Sequence, residues 1–156
     1  MKKLNKRPTW DEYFMSITQE VAKRSTCMRR QVGAVLVKDK RILSTGYNGA
    51  VKGLKHCYER ENGCYRKENK IPSGQQHELC RGVHAEQNAL LFACSQAHDT
   101  KGAVLYSSVH PCVLCAKMIV QAGIKRIVYA RDYQDDFAVE ILNEAGVELV
   151  KYEAKR

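Results

Sequence analysis

The sequence predicts a three-layer α/β/α fold, in which helices cover both faces of a five-stranded mixed sheet. Two apolar runs, 32–37 and 42–47, flank Asp39-Lys40 and are typical of an antiparallel hairpin. From residue 85 onward the pattern alternates between helix and strand, and strands joined by single crossover helices run parallel. We therefore expect the hairpin to form an antiparallel edge on an otherwise parallel sheet.

Each element can be justified in chain order. A first helix is expected to begin after Thr9 and to end near Cys27, because apolar residues recur at helical spacing at Trp10, Phe14, Ile17 and Val21. After the hairpin the expected elements are helix 85–97, strand 103–107, helix 112–122, strand 126–130, helix 136–145 and strand 147–152. Gly123 and Gly146 lie where helix C-caps use glycine.

A long polar segment, from about residue 48 to 82, separates the hairpin from the first crossover helix. It is longer than an unstructured loop in a compact domain normally is, so something must order it. The chain 1–156 is most simply one domain, and we call residues 48–82 its insertion.

The composition limits the setting of the protein. The N-terminal stretch 1–8 is charged and leads into no apolar segment, and no stretch reaches the apolar length of a transmembrane helix. We therefore expect a soluble, cytoplasmic protein with no membrane partner.

The net charge of +9 suits a nucleic acid, yet the basic residues are interleaved with 17 acidic ones. A solvated surface is expected for the short basic clusters, which are Lys2-Lys3 with Lys6-Arg7, Arg29-Arg30 and Lys155-Arg156. A nucleic-acid partner is therefore not expected. The excess of positive charge would still attract a small polyanion such as a nucleotide.

His84-Ala85-Glu86 and Pro111-Cys112-Val113-Leu114-Cys115 carry the chemistry of the chain. His84, Cys112 and Cys115 supply three zinc ligands, which is the number found in catalytic sites that keep a fourth position open. Glu86 is not needed to bind the metal and is left to move protons. The order and spacing resemble those of zinc-dependent nucleobase deaminases.

The local geometry explains this pattern. Residues two apart on a helix are rotated by about 200°, so His84 and Glu86 serve one site only if the helix begins around His84. Pro111 suits the start of a second helix, which places Cys112 and Cys115 on one face of its first turn. Both helix N-termini then direct positive ends at the metal and favour thiolates.

Two other interpretations compete with a catalytic zinc. Cys112 and Cys115 alone could form a redox pair. A zinc-stabilised binding module, for example one for nucleic acid, would use the same ligands but leaves Glu86 without a role. We favour the catalytic zinc because no further Cys-x-x-Cys completes a four-cysteine ribbon.

A second set of metal-ligating residues lies in and just before the insertion: Cys27, Cys57, Cys64, His77 and Cys80. Four of these five could close a structural zinc site that fastens the insertion to the body. The alternative is unligated cysteines in a loop ordered by packing. Cys94 is expected in the core, as a small hydrophobe of helix 85–97.

The chain resembles the deoxycytidylate (dCMP) deaminases, in the bacterial and phage branch of the cytidine deaminase superfamily. Besides the metal motif, the resemblance is carried by Val32-Gly33-Ala34-Val35, Thr45-Gly46-Tyr47-Asn48-Gly49 and Gln121-Ala122-Gly123-Ile124-Lys125. It implies zinc-dependent hydrolysis of dCMP to dUMP and ammonia for thymidylate synthesis, by a homo-oligomer that is a hexamer in this family. Deaminases of tRNA adenosine or of free cytidine are the alternatives within the superfamily.

The resemblance also implies site residues. His84, Cys112 and Cys115 match the zinc ligands, Glu86 the proton shuttle and Asn48 the sugar contact. Further candidates for substrate contact are Ala85, Ser107, Tyr133, Lys117 and Arg131, the last three for the phosphate. In the two-zinc branch, Cys27 and Cys57 match ligands of the second metal, which His77 and Cys80 complete with Cys64 as an alternate.

The loop after Asn48 binds a triphosphate effector in regulated relatives. Gly49 and Gly53 are the candidate contacts here, with Mg²⁺ as the companion of the nucleotide. Many relatives have proline where this chain has Val51, so activation by dCTP and inhibition by dTTP stay open.

Overall fold

The computed structural model describes residues 7–154. Its helices are α1 (Trp10–Ala22), α2 (Tyr65–Glu68), α3 (Ala85–Ser95), α4 (Val113–Gln121) and α5 (Asp136–Glu144). Its strands are β1 (Gly33–Lys38), β2 (Arg41–Tyr47), β3 (Gly49–Ala50), β4 (Gly82–Val83), β5 (Val104–Val109), β6 (Arg126–Arg131) and β7 (Glu148–Lys151). Of the predicted basic clusters, Lys2, Lys3, Lys6, Lys155 and Arg156 lie outside the described residues.

The main sheet has the strand order β2-β1-β5-β6-β7. Strand β1 is antiparallel to both β2 and β5, whereas β5, β6 and β7 are parallel. The mixed sheet with an antiparallel edge hairpin is therefore confirmed. Asp39 and Lys40 turn the hairpin with φ values of 49° and 61°, a geometry that matches the right-handed twist of the two strands.

Helices cover both faces of this sheet, which confirms the predicted layers. On one face, Phe14 and Met15 of α1 pack against Val35, Tyr106 and Val128. On the other face, α3, α4 and α5 bury a larger apolar cluster that includes Ala89, Leu90, Ala116, Ile119, Ile127 and Leu142. Within the described residues, no helix is long and apolar enough to cross a membrane.

Two predictions about the helices are wrong. Helix α1 ends at Ala22 rather than near Cys27, because Ser25 leaves the helical path and donates its hydroxyl to the Asn48 side chain at 2.6 Å. Cys94 is exposed rather than part of the core. The buried residues of α3 include Ala89, Leu90 and Ala93, and the next position, about 100° further round the helix, faces outward.

The insertion is ordered by short elements and internal hydrogen bonds. Its two ends are joined where β3 pairs with β4, Gly49 opposite Val83 and Ala50 opposite Gly82. Between them lie two 3₁₀ turns, Cys57–Glu59 and His77–Leu79, on either side of the single turn α2. The insertion therefore begins and ends beside α3.

Close packing brings the hairpin against the start of α3. A Cβ atom on Gly46 of β2 would lie 2.2 Å from the carbonyl oxygen of Ala85 and 2.4 Å from the amide nitrogen of Ala89. Only glycine fits this position. The contact fixes the first turn of α3 beside Tyr47 and Asn48, and Asn88 donates its side-chain amide to the Tyr47 carbonyl at 2.8 Å.

Candidate active site

His84, Cys112 and Cys115, here called the ligand trio, converge at the ends of α3 and α4. The His84 Nδ1 atom lies 3.4 Å from the Sγ atoms of both cysteines. Within residues 7–154 no other group of three or more His, Cys, Asp or Glu ligand atoms lies within 4.8 Å of one another. Tetrahedral zinc with its usual bond lengths needs N–S separations of about 3.5 Å, so the trio fits zinc.

Helix N-termini position the trio. His84 is the N-cap of α3 with extended backbone angles, and its N–H donates to the Gln87 side chain at 2.9 Å. Cys112 is the N-cap of α4, which places Cys115 in the first turn. The prediction that α3 begins around His84 is confirmed. Pro111 lies one residue before the cap of α4 rather than in its first turn.

Asp135 joins the start of α4 to the start of α5. Its carboxylate accepts a hydrogen bond from the Val113 N–H at 2.8 Å and one from the Ala138 N–H at 3.0 Å. Carboxylates at helix N-termini are stabilising, because they satisfy N–H groups that lack an intrahelical partner. Asp135 therefore fixes the helix end that carries Cys112.

Glu86 lies in the first turn of α3 and is 3% exposed. Its Oε1 atom accepts a hydrogen bond from Ser107 at 3.1 Å, and its Oε2 atom lies 3.7 Å from the Cys115 Sγ atom. Burial raises the pKa of Glu86, against the opposing influence of the His84 charge and the Ser107 hydroxyl. A buried carboxyl with a raised pKa is suited to take up and release protons near neutral pH.

The two thiols of the trio have opposite tendencies. Hydrogen bonds from Cys115 and His84 lower the pKa of the Cys112 thiol to about 4. The hydrogen bond to Cys112 and burial raise the pKa of Cys115. Cys112 therefore favours the thiolate form even without a metal. A bound cation would favour the thiolate form of Cys115 as well.

A cavity of about 220 Å³ opens beside the trio. Of the residues predicted to contact substrate or effector, Asn48, Gly49, Ala85 and Tyr133 line it. The Asn48 Oδ1 atom accepts hydrogen bonds from the Val32 N–H at 2.8 Å and from Ser25, and its Nδ2 donates to the Arg30 carbonyl at 2.8 Å. Asn48 therefore holds residues 25–32 against the cavity.

The structure places four other candidate residues away from the cavity lining. Ser107 is fully buried behind Glu86. Arg131 donates to the carbonyl oxygens of Ser108 and Gln31, at 3.2 and 2.9 Å, and so its guanidinium braces the sheet edge. The Lys117 ammonium lies 6.0 Å from the Phe137 ring centroid. Gly53 is exposed, with φ of 86° and open space around it.

Three arginines that line the cavity were not predicted as site residues from the sequence. Arg29, Arg30 and Arg66 all line the cavity, and the Arg30 guanidinium lies 5.5 Å from the centroid of the Tyr133 ring. His77 also lies here: its ring is 5.3 Å from the His84 ring, and its Nε2 atom is 3.3 Å from the Tyr133 hydroxyl. Charge alone does not distinguish these arginines from the solvated ones, so the sequence carries no signal for them.

Four of the five other cysteines, Cys27, Cys57, Cys64 and Cys80, line the same cavity. We call them the second cysteine cluster. All four are free thiols. The pKa of the Cys57 thiol is raised, chiefly by burial and further by the neighbouring thiols of Cys64, Cys27 and Cys80. The Sγ atoms of Cys27 and Cys80 accept backbone N–H groups, from Arg29 at 3.4 Å and Gly82 at 3.3 Å.

Comparison with known proteins gives matches over most of the chain. A family model described as "Cytidine and deoxycytidylate deaminase zinc-binding region" matches residues 8–131. The chain is 42% identical over 147 residues to a deoxycytidylate deaminase of Schizosaccharomyces pombe, covering 94% of this chain and 45% of the relative. It is 44% identical over 129 residues to the deoxycytidylate deaminase of Mycobacterium phage D29, covering 81% of this chain and 98% of the relative.

A solved structure agrees with these matches. The crystal structure of dCMP deaminase from the cyanophage S-TIM5, in complex with dCMP and dUMP, superimposes with a TM-score of 0.77 at 32% identity. The match covers 94% of this chain and 98% of that one. The chain thus spans less than half of the S. pombe relative but nearly the whole length of the two phage proteins.

Proposed function

Because the chain belongs to the cytidine and deoxycytidylate deaminase zinc-binding family, we propose that it is an enzyme that hydrolyses dCMP to dUMP and ammonia. The observation that carries this proposal is Glu86, a buried carboxylate beside three ligands that leave a zinc ion one position open. A closed structural site has no use for such a group. The substrate follows from the phage relatives, one of which binds dCMP and dUMP.

The chain's own residues carry the proton transfers. His84, Cys112 and Cys115 would hold a zinc ion, which would supply the acidity that makes a water molecule nucleophilic. The water oxygen bonds to C4 of the pyrimidine and the bond from C4 to the amine breaks. Glu86 carries one water proton to N3 and the other to the departing amine, which leaves as ammonia. Ser107 holds Oε1 of Glu86 and so keeps the carboxylate oriented.

A second, structural zinc is proposed on the second cysteine cluster. Its support is the mutual influence of the four thiols around Cys57 and the N–H groups directed at Cys27 and Cys80. The family resemblance favoured His77 over Cys64 as a ligand. The contacts of His77 with Tyr133 and His84 now make Cys64 the better fourth ligand.

The wider setting follows from the family resemblance and is proposed with it. We propose one deaminase domain over residues 1–156, acting in the cytoplasm as a homo-oligomer and supplying dUMP for thymidylate synthesis. A triphosphate effector, dCTP or dTTP with Mg²⁺, is proposed at the loop that contains Gly49 and Gly53. Gly49 leaves no room for a side chain there, since a Cβ atom would lie 2.4 Å from the Thr26 hydroxyl.

Turnover of alternative substrates tests the proposed function. Ammonia release is followed for dCMP, CMP, deoxycytidine and a tRNA anticodon stem-loop at equal concentration. We expect dCMP to exceed deoxycytidine by at least about tenfold, because buried donors for the phosphate become unpaired without it. The kcat/KM for dCMP should also fall as salt rises. Turnover of the RNA alone, or equal turnover of deoxycytidine, would show that the substrate is wrong.

A further inference from the structure

Arg66, in the insertion, is a buried arginine whose charge has no acidic partner among the described residues. Its exposure is 7%, and none of the ion pairs found within residues 7–154 includes it. Its Nη2 atom donates to the backbone carbonyls of Pro72 and Gln75, and its Nε atom has no hydrogen-bond partner. A buried cation is normally paired, because the cost of removing it from water is otherwise not recovered.

The guanidinium belongs to the wall of the catalytic cavity. Arg66 lines this cavity together with His84, Glu86 and Tyr133. His77 also lines this cavity, and its ring lies 5.3 Å from the His84 ring, so Arg66 shares the cavity with the ligand trio. By contrast, Arg60 does not line the cavity, and its guanidinium pairs with Glu68 at 3.2 Å.

The trio cannot neutralise Arg66. Two thiolates and one divalent zinc ion cancel, and the histidine ligand is neutral. Glu86 alternates between its charged and protonated forms during turnover. Because no carboxylate of the described residues pairs with Arg66, an anionic group of the ligand that enters the cavity can do so, and a guanidinium with a free N–H suits the oxygens of a phosphate.

We propose that Arg66 binds the 5′-phosphate of the nucleotide substrate, so that the insertion determines the preference for a nucleotide over a nucleoside. This inference rests on the proposed function. Tyr133 and the exposed Arg30 line the same cavity, with the Arg30 guanidinium 5.5 Å from the centroid of the Tyr133 ring. The carbonyls that Arg66 binds belong to the segment 72–75, whose Ser73 and Gly74 also line the cavity.

The test compares Arg66→Gln with Arg60→Gln. Arg60 also braces the insertion, through the Gly63 carbonyl at 2.6 Å and Glu68 at 3.2 Å, but it does not line the cavity. Arg66→Gln should lower kcat/KM for dCMP by about 10- to 100-fold and leave deoxycytidine within about twofold. Arg60→Gln should keep the preference for dCMP. Inorganic phosphate should compete with dCMP in the wild-type enzyme and much more weakly in Arg66→Gln.

Other results would overturn the inference. Equal losses for both substrates would mean that Arg66 only braces the segment 72–75, and loss of zinc from Arg66→Gln would assign it to the second cysteine cluster. If neither Arg66→Gln nor Arg66→Lys folds, a crystal structure of the wild type with dUMP decides by whether the phosphate contacts Arg66. A wild-type enzyme that does not prefer dCMP contradicts the proposed function itself, and that result is separate from any effect of Arg66.

Discussion

The ligand trio and the second cysteine cluster use the same chemistry but are built by different parts of the fold. His84 and Cys112 are helix N-caps, so the backbone hydrogen bonds of α3 and α4 bring His84 within 3.4 Å of two thiols. In the second cluster, Cys57 begins a 3₁₀ turn, Cys64 caps only the single turn α2, and Cys27 and Cys80 lie outside helices and strands. In the described chain, no three of its ligand atoms lie within 4.8 Å of one another. Ligands on helix ends are preorganised, whereas ligands on loops depend on the metal to hold them together.

Removing one ligand from either group should cost about one zinc, but the other consequences should differ between the two groups. Cys115→Ser should abolish turnover and remove about one zinc per chain, while proteolysis within the insertion stays unchanged. Cys64→Ser, or Cys80→Ser, should also remove about one zinc but should make the insertion more sensitive to protease. Elemental analysis, limited proteolysis and a turnover assay measure these effects.

Cys94→Ser is the matched control for these variants, because Cys94 is exposed on α3 and belongs to neither group. It should change none of the three measurements. A wild-type protein with a single zinc, together with a Cys64→Ser protein that is unchanged, would mean that the second site does not exist. The ligand trio would then be the single metal centre of the described residues.

Within the preorganised group, Glu86→Gln should separate proton transfer from metal binding. Glutamine has nearly the same shape but cannot relay protons, so turnover should fall by at least about 10²- to 10⁴-fold while zinc content and folding are kept. Glu140→Gln, on the exposed side of α5, serves as the control. Activity near that of the wild type in a zinc-loaded Glu86→Gln protein would remove Glu86 from the mechanism.

The same contrast explains what could be predicted from the sequence. The trio and α3 were predictable because hydrophobic periodicity and spacing fix which residues share a helix turn. The positions of His77, Arg66 and Tyr133 depend on loop conformations that no periodicity encodes. Arg131 and Lys117 were candidates for the phosphate contact, and the structure places both outside the cavity lining.

Removing the hydrogen bond that strand β5 donates to Glu86 should lower turnover less than removing the Glu86 carboxylate does. Ser107→Ala removes the hydroxyl that donates to Oε1 of Glu86, and kcat should fall by about tenfold, the value of one hydrogen bond to a charged group. Ser108→Ala is the control, because Ser108 is equally buried on the same strand but accepts from the Gly33 N–H at 3.0 Å. If both variants lose activity equally, the effect reflects the strand and not the carboxylate.

The smallest expected effect concerns the contact of α1 with the main sheet, which involves no residue of either metal group. Asp11 of α1 forms two 2.9 Å hydrogen bonds with Arg126 and accepts the Tyr106 hydroxyl at 2.7 Å. The bonds from Arg126 lower the pKa of Asp11 below its ordinary value of 3.8, although burial opposes them. A carboxyl with a depressed folded-state pKa stabilises the fold above its unfolded-state pKa, and this contribution is lost as pH falls through the folded-state pKa.

Asp11→Asn should therefore lower the free energy of unfolding by about 1 kcal/mol at pH 7, a value reduced by solvent screening of this partly exposed pair. The difference from the wild type should shrink as pH falls below 3.8, the ordinary pKa of the group. Urea unfolding at several pH values measures it. Asp99→Asn, which breaks a more exposed ion pair with Lys38, should change the free energy less. Since α1 contributes no metal ligand, a chelator should leave the effect of Asp11→Asn unchanged, and an effect that disappears with the zinc would show that the body and the metal groups are energetically coupled.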